Sequence, residues 1–124
     1  MPRKQSPALT DAEAEVMAAL WRLRQGSVGD VVTAMNKKRR VNYSTVQTML
    51  RILETKGYVS HDKVARAFVY KPVVDEGQAR RRALRHLARR LFEGSPSLLV
   101  MNILEDEELD AREREQLKKL IERV

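Results

Sequence analysis

The chain contains no cysteine, which removes disulfide bridges, thiolate nucleophiles and zinc-finger spacings together. No stretch approaches the ~20 consecutive apolar residues of a membrane span, and the opening MPRKQSPALT lacks the apolar run of a secretory signal. Membrane insertion is therefore not expected, and the cytoplasm is the expected location. Histidine is scarce as well: His61 sits in a segment of strand character and His86 among arginines, neither with a Cys or a paired carboxylate nearby in sequence. There is no glycine-rich phosphate loop and no nucleophile elbow. An enzyme would have no residues to work with, and neither a metal nor a cofactor is expected. The acidic run Glu105 to Glu108 reads as a solvated turn near a helix start rather than a cation site.

What the chain does have is charge, unevenly spread. Its 124 residues are 43% hydrophobic and 33% charged, enough apolar content for a small core beneath a strongly charged surface. The formal net charge is +7, and all of that excess lies in residues 1–74, with 13 Lys/Arg against 6 Asp/Glu; residues 75–124 hold 11 of each. A module that meets a polyanion needs local cations rather than a high total, so the first part is the candidate nucleic-acid partner. Charge kept for solubility would give the same sum.

The apolar spacing divides the first part into three helices. Thr10 and Glu13 have the spacing of a capping box, and Val16, Met17, Leu20 and Leu23 recur at helical period over about 11–23. Gly26 interrupts. Ser27 and Asp30 then restart a short helix with Val28, Val31, Val32 and Met35 on one face. After Lys37-Lys38-Arg39-Arg40, Asn42 caps a third helix whose Val46, Met49, Leu50 and Leu53 share a face, and Gly57 stops it. The pattern changes period at Tyr58–Lys63 and Arg66–Lys71, which predict a two-stranded hairpin closed by Pro72, with Tyr58 and Tyr70 filling a half-buried face. Three helices and then a hairpin is the order of a winged helix-turn-helix, an order that other small α+β folds share.

The second part reads as three further helices, opened by Asp75/Gln78, by Ser95-Pro96 and by Asp110/Glu113. Leu84, Leu87, Leu91 and Phe92 line the first; Leu98 to Leu104, apolar nearly all round, must be buried; Leu117, Leu120, Ile121 and Val124 line the last. About 50 residues make a poor independent core, so Leu84, Leu87, Leu91, Phe92, Leu98, Leu99, Leu117, Leu120 and Ile121 are expected to meet a second copy, with packing on the chain's own first module as the alternative. The expected fold is thus mainly α with a small β-hairpin: a winged helix-turn-helix domain over 1–74 and a helical dimerisation domain over 75–124.

On the third helix, the face opposite the apolar stripe carries Ser44, Thr48 and Arg51, flanked by Thr45 and Gln47, with no carboxylate before Glu54. These residue types suit a major groove: Gln pairs with adenine, Arg with guanine, and Thr offers a hydroxyl and a methyl. They are the candidate base readers. Lys37, Lys38, Arg39 and Arg40 ahead of the helix, Tyr43 at its start, and Lys63 and Arg66 at the hairpin tip are candidate phosphate contacts, which position without specifying. The same cations also suit ordinary charged turns. The expected partners are a double-stranded DNA operator and a second copy of the chain; the rival readings are a winged-helix protein-interaction module and a non-specific nucleic-acid binder.

Several segments together carry a likeness. Leu9 to Met17 leading to Leu20-Trp21, Ser44 to Leu53 with Lys56-Gly57-Tyr58-Val59, Phe68-Val69-Tyr70-Lys71-Pro72, and Leu91 to Ser95 resemble, in order and spacing, the penicillinase repressor family of the BlaI and MecI type. The resemblance implies a winged-helix domain, a C-terminal helical dimerisation domain and dimeric binding to palindromic operators. It also implies control of β-lactam resistance genes through a membrane sensor-protease that triggers cleavage of the repressor after an asparagine. Leu99-Val100-Met101-Asn102-Ile103 lines up with that segment, making Asn102 and Ile103 the candidate cleavage position, although the family's next residue is typically Phe. Without that role, Asn102 reads as a buried amide bonded across the interface. A copper-responsive branch resembles the DNA-binding half, but its C-terminal cysteine motif has no counterpart here.

Overall fold

The computed structural model describes residues 8–106 and 108–123. Its elements run α1 (Asp11–Leu23), β1 (Gly26–Ser27), α2 (Val28–Asn36), α3 (Tyr43–Thr55), β2 (Val59–Val64), β3 (Ala67–Pro72), α4 (Glu76–Leu91), α5 (Pro96–Asp106) and α6 (Ala111–Arg123). The chain divides into two compact units, the first ending at Ala83 and the second beginning at Leu84.

The helices begin where their side chains satisfy the first free backbone N–H groups. Thr10 Oγ1 accepts from the Glu13 N–H at 3.1 Å while Glu13 Oε1 accepts from the Thr10 N–H at 2.8 Å. Ser27 and Asp30 make the same reciprocal pair at the start of α2, at 3.1 and 3.0 Å. Asn42 Oδ1 accepts from the Thr45 N–H at 2.9 Å to open α3. The exit of α3 is equally defined. Gly57 adopts φ +84°, the Tyr58 N–H donates to the Leu53 carbonyl at 2.9 Å and the Gly57 N–H to the Glu54 carbonyl at 3.0 Å. That pair of bonds needs a left-handed residue after the helix, which glycine supplies without steric cost. In the later helices, Asp75 with Gln78, Ser95 and Asp110 cap α4, α5 and α6 respectively.

The expected two-stranded hairpin is part of a three-stranded antiparallel sheet, in the order β1-β3-β2. Gly26 and Ser27 pair with Tyr70 and Val69, while His61 pairs with Tyr70 and Lys63 with Phe68 across the hairpin. A strand of two residues has no period to read, and Gly26 and Ser27 already served as a helix break and a cap. Val16, Met17, Leu20, Val31, Val46, Leu50 and Leu53 are buried beneath this sheet, together with Tyr58 and Tyr70, each 2% exposed. Both tyrosines are thus core, Tyr70 within β3 and Tyr58 just ahead of β2. The Trp21 indole N–H donates to the Val74 carbonyl at 3.0 Å, fixing the exit of β3 to α1. Ala79 joins the same core, so the start of α4 packs with this unit.

In the second unit the caps form as the sequence predicts, and within the single chain most of the apolar side chains stay uncovered. Of α5, expected to be covered all round, only Leu99 is buried within the chain, and α6 has no buried residue among those described. Glu107, inside the acidic run, and Val124, at the end of the last stripe, lie outside the described residues.

Candidate nucleic-acid interface

Helix α3 presents two chemically distinct faces. Val46, Leu50 and Leu53 are fully buried, whereas Ser44, Thr45, Thr48 and Arg51 are exposed and Gln47 is half-buried. The Ser44 hydroxyl donates to Asn42 Oδ1 at 3.1 Å and Thr55 Oγ1 to the Arg51 carbonyl at 3.1 Å, so these two groups already have local partners. Among the described residues, no hydrogen bond or ion pair holds the side chains of Gln47, Thr48 or Arg51. Uncommitted donors on an exposed, carboxylate-free helix face are the chemistry that base-edge readout requires.

The hairpin approaches the start of this helix. Tyr43 and Gln47 of α3, Ser27 at the cap of α2, and Arg66 and Phe68 of the wing line one groove of about 280 Å³. The structure therefore brings together Tyr43, Gln47 and Arg66, which the sequence assigned separately. Lys63 and Arg66 are exposed. Between them the chain reverses through Ala65 and Arg66, with Val64 paired to Ala67 on either side. Ala65 sits at φ +58°, a left-handed position that a two-residue hairpin turn demands and that an alanine Cβ disfavours.

Lys37, Lys38, Arg39 and Arg40 form an exposed connection between α2 and α3. They are not equivalent. Arg39 Nε donates to Glu15 Oε2 at 2.7 Å, so this cation is drawn towards α1, whereas no ion pair engages Lys37, Lys38 or Arg40 among the described residues.

Two pairs that position the helix escaped the sequence reading. Lys56 Nζ, one residue past α3, donates to Glu13 Oε1 at 2.8 Å and to the Ala8 carbonyl at 3.0 Å, with both charged side chains only 6% exposed. Glu13 thus serves the α1 cap and anchors the far end of α3. Burial opposes its ionisation, but the hydrogen bonds from Lys56 and the Thr10 N–H outweigh that penalty, leaving its pKa below the ordinary 4.5. At the same end, Glu54 Oε2 meets His61 Nδ1 at 2.6 Å, tying α3 to β2. The imidazole lies 4.3 Å from the Phe68 ring centroid and 5.4 Å from that of Tyr70, so the His61–Glu54 contact and an aromatic cluster together fix the wing against the helix. Burial, reinforced by the Glu54 charge, raises the Tyr70 phenol pKa and keeps it neutral. Partners 43 and 7 residues apart leave no periodic trace in a sequence.

The second unit keeps its apolar side chains outward. Leu84, Leu91, Leu117, Leu120 and Ile121 are exposed, Leu91 by 66% and Ile121 by 65%; Leu87, Phe92 and Leu98 are half-buried, and Leu99 is buried. Asn102 is half-buried and its Nδ2 donates to the Leu98 carbonyl of its own helix at 2.8 Å, which gives one donor of the amide a partner within the chain. Ile103 is exposed.

Comparison with known proteins places this geometry. A family profile described as "Penicillinase repressor" matches residues 9–123. The chain is 32% identical to the penicillinase repressor of Bacillus licheniformis, an alignment covering 96% of this chain and 93% of that protein. It is 24% identical to the methicillin resistance regulatory protein MecI of Staphylococcus aureus strain N315, covering 91% and 92% respectively. Among solved structures, the DNA-binding domain of the repressor BlaI is similar at TM-score 0.53 and 37% identity, over 61% of this chain and 93% of that one. The monomeric form of Bacillus licheniformis BlaI in complex with the blaP half-operator is similar at TM-score 0.50, with the same identity and coverage.

Proposed function

This chain belongs to the penicillinase repressor family, a family of DNA-binding transcriptional repressors and not of enzymes, and from that premise we propose that it represses transcription as a homodimer on a palindromic operator. The observation that carries the proposal is the outer face of α3, where among the described residues no hydrogen bond or ion pair engages the side chains of Gln47, Thr48 and Arg51, beside a cationic wing. In this reading α3 enters the major groove, and Ser44, Thr45, Gln47, Thr48 and Arg51 read base edges. Lys37, Lys38, Arg40, Tyr43, Lys63 and Arg66 contact phosphates, with Arg39 reaching them only if it leaves Glu15. The likeness to a repressor held on a half-operator supports this arrangement.

The second unit supplies the other half of the function. A chain that leaves Leu84, Leu91, Leu120 and Ile121 in water lowers its free energy by covering them, and a second copy covers both sets at once. Two linked readers bind two half-sites more tightly than either alone, so dimerisation sets operator affinity. The regulated genes are those of β-lactam resistance, in the cytoplasm of a cell whose membrane sensor-protease triggers a cut at Asn102–Ile103. That cut separates α6 from α4 and releases the operator. The repressor relatives named for penicillinase and methicillin resistance support this assignment.

The test is a gel-shift titration with footprinting on the DNA upstream of the chain's own gene. A protected palindrome and at least a 1000-fold preference over random DNA are expected. Equal affinity for both DNAs would make the chain a non-specific binder, and no binding would leave a protein-interaction module. Intact chain on immunoblots after β-lactam exposure, with the target genes induced, would overturn cleavage at Asn102.

A further inference from the structure

Two stretches of the second unit carry charge of one sign, whereas α6 mixes both. Over residues 85–90, α4 has Arg85, Arg89 and Arg90 and no carboxylate; over 105–110, Glu105, Asp106, Glu108 and Asp110 stand without a cation. All seven side chains are exposed, and among the described residues no ion pair engages any of them. Surface charge kept for solubility usually alternates in sign. Here it is segregated, and each block borders exposed apolar side chains: Leu84 and Leu91 on α4, Ile103 and Leu104 directly before the acidic block. Arg85 and Arg89 are spaced i, i+4 and lie one turn apart on one face, presenting two guanidinium groups in the same direction.

An apolar patch edged by fixed charge is how interfaces select partner and register. The two blocks have opposite signs, so a polyanion would match one and be repelled by the other. A second copy, related by a two-fold axis, matches both at once. We propose that the arginine block of α4 on one copy pairs with the acidic block at 105–110 on the other, twice per dimer, and so sets the register in which the apolar faces meet. This rests on the homodimer proposed above. Exposed pairs of this kind contribute little each, but reversing their sign turns attraction into repulsion, and salt weakens them while leaving apolar burial intact.

The experiment uses three full-length variants: R85E/R89E, E105K/D106K and the quadruple combination. Each is followed by sedimentation at about 50 mM and about 500 mM salt, where the Debye length falls well below the spacing of surface charges. At low salt each double variant alone should dissociate about tenfold more readily than the parent, while a one-to-one mixture of the two should form heterodimers of near-parental affinity. The difference should shrink at high salt. Parental affinity in both double variants would overturn the proposal. So would rescue in the quadruple chain without rescue in the mixture, which would place the pairing within one chain. An unchanged dimer with weakened DNA binding would assign the arginines to nucleic acid instead. A parent chain that sediments as a monomer overturns the homodimer itself; a dimeric parent with no rescue overturns the charge pairing alone.

Discussion

In the N-terminal unit, Val16, Met17, Leu20, Val31, Val46, Leu50 and Leu53 reach zero or near-zero exposure, and polar anchors such as Lys56–Glu13 and Trp21–Val74 lock the elements around them. In the C-terminal unit, Ala88 and Leu99 are the buried apolar residues among those described, and helices of similar length and equally good caps carry leucines into water. Capping and periodicity therefore do not separate the two units; completion of a core does. The first is finished within one chain, and the second leaves its leucines uncovered there.

The sharpest way to break that contrast is to strike the first unit at an anchor. Lys56→Ala leaves the Glu13 carboxylate buried without its cation, with only the Thr10 N–H still donating to it among the described residues, and about 3 to 5 kcal/mol of stability should be lost. Urea unfolding of the full chain and of an N-terminal fragment ending at Ala83 would check it; a loss under 1 kcal/mol would show that the pair is solvated. The same pair predicts a pH response. Because the folded pKa of Glu13 lies below its ordinary 4.5, its contribution is complete above that value and is lost as the pH falls through the folded pKa. Thermal scans across that window should show the drop in the parent and a smaller one in Glu13→Gln.

Leu50→Ala and Leu120→Ala test the difference directly. The first empties space in a closed core and should cost about 2 to 5 kcal/mol of unfolding free energy. The second should barely change unfolding of the N-terminal unit but should weaken dimerisation in sedimentation. If Leu120→Ala instead destabilises a monomeric chain, the last helix is packed within its own molecule.

Smaller effects refine the first unit's role. Arg51→Ala should cost about 1 to 3 kcal/mol on the operator and relax preference at one base pair, with random DNA little affected. Lys63→Gln and Arg66→Gln should each weaken binding to every sequence and lower the salt slope by about 1. An unchanged slope would remove the wing tip from the phosphate contacts. The smallest change is Ala65→Gly, which relieves a left-handed alanine at φ +58° and should raise stability by no more than about 1 kcal/mol.

Much of this was legible because it is local. Thr10/Glu13, Ser27/Asp30, Asn42 and Gly57 act within four residues of themselves, and the sequence states their spacing directly. The split of α3 into Val46–Leu50–Leu53 and Ser44–Thr48–Arg51 follows from helical rotation alone. What stayed hidden is long-range or too short for a period. Strand β1 is two residues, and Glu13 and Glu54 look like ordinary helix carboxylates until the fold carries Lys56 and His61 to them. The exposure of α5 follows a different logic: an all-apolar helix signals that it will be covered, without saying whether by its own chain.

Trp21 is the chain's single tryptophan, and its indole is bonded to the carbonyl of Val74, just where β3 gives way to α4. Its emission therefore reports on one junction, with no labelling and no competing fluorophore of its kind. A red shift on adding operator would mean that the bond opens as the protein settles on DNA; a constant spectrum would mean that the wing's exit travels as a fixed joint through the whole binding cycle.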